Sequence, residues 1–317
     1  MLDGLIAHMS DEPTSVRHAA NQLGLPANES AFEANTADEW IQALQFESSR
    51  CPPQTSFRTI LRVLFSPQSS LPAIDFSAFS LRVILEGIQS ILAECDGDSD
   101  NIVGVPSRAD VRSALSRIHA SITQSTTMST ADRLETLLRW HAVCLDAMVD
   151  TAALCRNICS RWDVEQHIWT TNKTQNSKYS GSPWAATEDA RRALLHAVAI
   201  QDIVETLPRG RAHVIHMPAS LFAAATIYAS FALTDIVTVK LVNDVNWQIV
   251  MDDSGSDGFS VWDTQRYIRS DGSYFGATRN MVYELNSMHK LMSCLKTQWG
   301  IAHDMEAVVE RWVTLCH

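Results

Sequence analysis

Apolar side chains recur at helical spacing through most of the chain. Phe57, Ile60, Leu61, Leu64 and Phe65 fall on one face and stop at Ser66-Pro67, and Phe79, Val83, Ile84, Ile88, Ile91 and Leu92 repeat the pattern from Ser77 to about Glu94. Each stripe predicts a core helix. Caps sharpen the boundaries: Thr36 with Glu39 has capping-box spacing ahead of the Trp40 to Phe46 apolar run, and Ser107 with Asp110 and Ser129 with Asp132 mark two further helix starts. A short helix over Thr14 to Leu23 is expected to end at Gly24-Leu25-Pro26.

From Ser129 onward, Leu134, Leu137, Leu138, His141, Leu145, Met148, Val149, Ala152, Cys155 and Cys159 keep one stripe with no Pro or Gly between them. That predicts a single long central helix reaching Trp162. Residues 182–236 then read as two helices joined at Pro208-Arg209-Gly210. The second is the most apolar part of the chain, since no Asp, Glu, Lys or Arg lies between Ala212 and Thr234. A membrane span needs about 20 strongly apolar residues, whereas this stretch carries His213, His216 and Pro218 and is rich in Ala, Ser and Thr. It is expected to be a buried helix and not a membrane span. Two more helices, Ala277 to Trp299 and Asp304 to Leu315, close the chain. Loops are expected near 95–106, 170–183 and 252–258, and loose alternation predicts a minor strand pair around 239–268. The pattern as a whole predicts an all-α protein, a single large helical domain over 1–317.

Composition adds exclusions. Lys plus Arg is 25 and Asp plus Glu is 36, a net charge of −11, with no basic cluster to meet a phosphate backbone or an anionic membrane. Apolar residues make up 46% of the chain and nine are Trp, enough for a large interior without staples. Seven scattered cysteines and no basic or apolar targeting run after Met1 give the expectation of reduced thiols in the cytoplasm or nucleus. Cys155 and Cys159, four apart in a helix, read as packing. The motifs CxxC, HExxH, GxGxxG and GxSxG and the Walker loop are all missing, so neither a metal nor a cofactor is expected.

Four segments carry a family resemblance: Phe32 to Trp40, the helices after it, Trp184 with Ala190 to Ala197, and Met217 to Ala225. Together, over residues 28–236, they resemble the α-helical regulatory region of fungal transcription factors. That family reads DNA through a separate zinc module, a binuclear six-cysteine cluster or Cys2His2 fingers, and neither spacing occurs in this sequence. The resemblance implies a helical scaffold, and without a zinc module the chain is expected not to bind DNA by itself.

Polar and aromatic groups set into apolar helices are the remaining source of chemistry. His196, Tyr228 and His141 are the catalytic candidates, and Trp140, Trp184, His216 and Phe222 are the candidates for lining a ligand. Taken singly, each is most simply a hydrogen-bonded core group. Taken together, they suit an aromatic chamber with a few oriented donors, which catalyses by folding a substrate and polarising a carbonyl. The expectation is a stand-alone protein of fungal specialised metabolism that binds a hydrophobic small molecule, a cofactor-independent cyclase. The alternative is a regulator or co-regulator domain that senses a ligand or binds a protein partner, separated from its DNA-binding module. Either reading leaves room for a protein partner or a homodimer.

Overall fold

Helices occupy the stretches where the apolar stripes predict them. The computed structural model describes residues 21–27, 29–50, 56–66, 76–94, 106–169, 184–208, 214–234, 236–242, 244–251 and 277–317. Among these are twelve α-helices and one small two-stranded sheet, so the protein is predominantly α-helical. The described chain divides into two compact units, 21–143 and 144–317. The expected loops at 95–105, 170–183 and 252–258, and nearly all of the predicted helix before Leu23, lie outside the described residues.

The first unit holds α1 (Glu29–Phe32), α2 (Ala37–Arg50), α3 (Phe57–Leu64), α4 (Ala78–Glu94), α5 (Arg108–Gln124) and most of α6 (Thr130–Met148). Its caps follow the sequence. Ser107 and Asp110 form a reciprocal capping box on α5, Ser129 accepts the Asp132 amide ahead of α6, and Thr36 and Glu39 exchange the same bonds ahead of α2. Inside, Glu86 of α4 and Arg139 of α6 form a buried two-pronged ion pair at 2.8 and 2.9 Å. Arg82 and Glu135 pair one turn earlier on the same two helices, at 3.2 Å. Both pairs advance by four residues in the same direction, so α4 and α6 run parallel. Arg117 of α5 donates to the carbonyls of Val63, Leu64 and Ser66, satisfying the end of α3.

The second unit corrects the long central helix. The apolar stripe continues as predicted, but the backbone breaks at Asp150 (φ −69°, ψ 93°), whose carboxylate accepts the Ala153 amide and starts α7 (Thr151–Arg161). Thr151 also donates to Asp146, holding the corner. An Asp with a free backbone geometry is sufficient to end one helix and cap the next, and no Pro or Gly is needed. At the far end of α7, Asp163 adopts the left-handed conformation (φ 52°) and the Val164 amide donates back to Cys159, a Schellman closure with Asp in the place glycine usually takes.

A 3₁₀ turn at Trp184–Ala186 leads into α8 (Glu188–Thr206), capped by Thr187. The most apolar stretch becomes α9 (Met217–Ala232), and all of its residues are buried against α7, α8, α11 (Met281–Leu295) and α12 (Ile301–Leu315). Ser220, Thr226 and Ser230 return their hydroxyls to carbonyls of their own helix, so its polar groups cost little in the core. Among the described residues no helix is long and apolar enough to cross a membrane. A strand pair exists, but its partners differ from the expectation: β1 (Thr238–Leu241) pairs antiparallel with β2 (Ala277–Asn280), Thr238 opposite Asn280. Between them lies α10 (Trp247–Met251). Residues 277–280 thus form a strand where a helix start was expected, and Asn280 caps α11 by accepting the Val282 and Tyr283 amides.

Candidate functional site

The residues singled out from sequence are distributed over both units. Trp140 and His141 sit on α6 in the first. Trp140 is fully buried, donates its indole N–H to the Leu115 carbonyl at 2.8 Å, and lies between the rings of His119 (4.6 Å) and His141 (4.8 Å). The other five candidates belong to the second unit. His196 on α8 is buried with its ring 4.8 Å from Trp247. His216 occupies the N-cap position of α9, and its carbonyl accepts the Ser220 hydroxyl. Phe222 lies between Trp169 at 5.3 Å and Trp312, stacked at 5.8 Å. The indole N–H of the buried Trp312 makes no hydrogen bond among the described residues.

Tyr228 anchors a buried polar network. Its hydroxyl donates to Gln201 Oε1 at 2.8 Å, and the Gln201 amide donates to Glu284 at 2.8 Å and to Glu205 at 3.0 Å. Arg279 closes the far side, bonded to Asp202 at 2.9 Å and lying 3.6 Å from Glu284. Burial pushes the Tyr228 phenol well above its ordinary pKa, and the Glu284 carboxylate pushes it further. Burial works against the Arg279 charge, but Asp202 and then Glu284 outweigh it and hold its pKa above the ordinary value. The network joins α8, α9, β2 and α11 through one phenol, one amide, three carboxylates and a guanidinium.

A recess opens where α7 and α9 end. Leu154, Ile158, Ala229, Leu233, Trp184 and Ala185 supply its apolar wall, and Asn157, Arg161, Trp162, Ser230 and Thr234 supply the rest of the lining. It is shallow, with a cavity volume of about 30 Å³, and opens to solvent. Trp184 is held by its own turn, whose carbonyl accepts Thr187 Oγ1, and it meets Phe231 edge to face. Ser230 and Thr234 donate to Ile227 and Phe231, which leaves their oxygens as acceptors only. Asn157 and Arg161, one turn apart on α7, make no hydrogen bond or ion pair among the described residues. The Arg161 guanidinium instead lies 5.8 Å from the Trp162 ring centroid.

Of the seven candidates, only Trp184 lines this recess. Asn157, Arg161 and Trp162 had not been singled out from the sequence. The available signal was a polar pair at i and i+4 inside the Leu154, Ile158 stripe, immediately before an exposed Trp.

A second cluster joins α11 to α12. Glu306 Oε1 receives Ser293 Oγ at 2.8 Å and Lys296 Nζ at 2.8 Å, with His289 Nε2 at 3.1 Å. Burial raises the Glu306 carboxyl, and these three groups together more than reverse that, leaving its pKa below the ordinary value. His289, Glu306 and Glu310 present ligand atoms within 4.8 Å of one another, a donor set that suits a divalent ion in type. The lysine ammonium already neutralises the one buried carboxylate there, so the cluster is satisfied as an ion-pair clasp between the two helices. No family model matches the chain, and no curated protein and no solved structure matches it.

Proposed function

We propose that the chain is a small-molecule-binding protein whose ligand occupies the recess between the ends of α7 and α9. One observation carries this reading: an apolar recess bordered by two polar side chains, Asn157 and Arg161, that make no hydrogen bond or ion pair among the described residues. Ligand sites combine apolar walls with a few unsatisfied, convergent polar groups, whereas core residues satisfy their polar groups internally. Tyr228 and Trp140 fall in the second category, the one bonded to Gln201 and the other to Leu115, and act as supports for the core. Binding is the part of the expectation from sequence that this reading keeps. Cyclisation by substrate folding extends it: the Asn157 amide is the oriented donor that a polarised carbonyl in the recess would meet.

The test is a thermal-shift and native-mass screen of small hydrophobic molecules, repeated on Asn157→Trp, which fills the mouth of the recess from a half-buried position. A ligand at about 100 times its Kd stabilises the folded state by about 2.7 kcal/mol. At least one compound should raise the melting temperature of the natural chain and leave the filled variant unmoved. If the shift persists with the recess filled, the ligand sits elsewhere and the assignment fails.

A further inference from the structure

The recess also carries information about the charge of its occupant. Among the described residues its lining contains one arginine, one asparagine and no acidic residue, in a chain whose acidic residues outnumber its basic ones by 36 to 25. Several buried or half-buried arginines are paired, Arg82, Arg139, Arg192 and Arg279 with carboxylates and Arg117, Arg133 and Arg191 with backbone carbonyls. Arg161 is exposed and makes no hydrogen bond or ion pair among the described residues, so its guanidinium is open to a ligand arriving from solvent. A helix C-terminus favours a cation by itself, and Arg161 sits in the last turn of α7, where the Ile158 and Cys159 carbonyls are taken by the Trp162 and Val164 amides.

What holds Arg161 in place is the indole of Trp162, 5.8 Å away. Stacking on an aromatic face uses the flat side of the guanidinium and leaves its fork of N–H donors free in the plane, the geometry that accepts a carboxylate on two prongs. Asn157 lies one turn back on the same helix face and adds an amide N–H. Ser230 and Thr234 contribute no donors, because both hydroxyls are committed to backbone carbonyls. The Asn157 and Arg161 donors thus come from the α7 side, and the opposite wall is apolar apart from the Ser230 and Thr234 oxygens. Asp163 follows in the chain but does not line the recess, and the overall charge of −11 is screened within about 8 Å at physiological salt, so the local set decides.

Resting on the ligand-binding reading above, we infer that the recess selects amphipathic monocarboxylates, with the carboxylate on Arg161 and Asn157 and a compact apolar body against Trp184, Leu154, Ile158 and Leu233.

Isothermal titration of the full chain with octanoate, octanol and octylamine tests this, because the three share one apolar body and differ in the head group. Octanoate should bind about 10-fold more tightly than octanol, and octylamine most weakly, as a charge-assisted contact requires. Arg161→Gln should remove the 10-fold preference and leave octanol binding within about 2-fold, and Arg161→Lys, which keeps the charge but loses the fork, should fall between them. Arg161 is exposed, so both variants are expected to keep the parent's circular dichroism and urea midpoint. Octanol binding as tightly as octanoate, or a preference for octanoate that survives Arg161→Gln, overturns the inference about charge while the recess remains a binding site. Absence of binding by any of the three compounds overturns both the inference and the ligand-binding reading.

Discussion

Gln201 lies at the centre of the second unit's polar network, and replacing it with leucine gives the sharpest test of how that unit is held together. Leucine matches glutamine closely in size, so the cavity contribution is small and the cost is polar. Gln201→Leu strands the buried Tyr228 hydroxyl and takes the 2.8 Å donor from Glu284, which keeps Arg279 only at 3.6 Å. An unsatisfied buried group costs about 1–3 kcal/mol, more when charged, so the variant should lose about 3–5 kcal/mol. Tyr228→Phe removes only the hydroxyl and leaves Gln201 Oε1 without its donor, a loss of about 1–2 kcal/mol. In the double variant the stranded hydroxyl no longer exists, so the losses should fall short of their sum by about 1–2 kcal/mol. Urea unfolding followed by circular dichroism gives the three differences, provided the slopes agree, and native-state hydrogen exchange of the α9 amides places the loss on that helix. Losses that add to within about 0.5 kcal/mol would mean that the phenol and the amide are not coupled, and the network reading would be wrong.

Two further predictions concern pH and packing. Burial raises the thiols of Cys144 and Cys155 above their ordinary 9.0 and the phenol of Tyr228 above its ordinary 10.0. A raised folded-state pKa gives stability that is fully present below the unfolded value and is lost as pH climbs toward the folded one, so urea stability should begin to fall near pH 9 and more steeply above pH 10. Each group contributes a slope of up to about 1.4 kcal/mol per pH unit, and Tyr228→Phe should flatten the decline above pH 10 by that amount; parallel curves would refute it. In the first unit, Gly87→Ala would gain about 1 kcal/mol of helix propensity, yet the added Cβ would stand 2.3 Å from Phe57 Cζ in a buried ring, an overpacking of about 1–3 kcal/mol. Net destabilisation is expected, and pairing it with Phe57→Leu should restore part of the loss in urea melts.

The helices were legible because their information is local. A stripe at 3.6-residue spacing and a Ser-x-x-Asp cap occupy consecutive turns, and Ser107 with Asp110 could be read without knowing what the helix packs on. The break at Asp150 was hidden because the apolar stripe runs on through Ala152, Cys155 and Cys159 in phase with the helix before it. Residues 277–280, Ala-Thr-Arg-Asn, have no strand pattern at all, and they pair only because β1 reaches them from 36 or more residues away. The surroundings of the candidate residues were hard to read for a related reason. A tyrosine in an apolar helix looks the same in sequence whether it faces a cavity or a distant amide, and the partner of Tyr228 is 27 residues earlier, with Glu284 another 83 from that partner. Arg161 and Asn157 pose the opposite problem, since they resemble an ordinary solvated face and are distinguished only by bordering the recess, a placement no sequence displays.

Helix geometry then separates the two roles that the sequence merged. At about 100° per residue, with Tyr228 taken as zero, Ala229, Ser230 and Leu233 point near 100°, 200° and 140°, so α9 turns its pinned face toward Gln201 and a different face toward the recess. Tyr228 thus fixes the rotation of the wall without lining the recess. Its removal should cost stability and leave the carboxylate preference of the recess unchanged, while Arg161→Gln should do the reverse. If Tyr228→Phe instead altered which head group is preferred at constant stability, the phenol would be in contact with the ligand, and the chamber expected around His196 and Tyr228 would replace the α7 rim as the place where recognition happens.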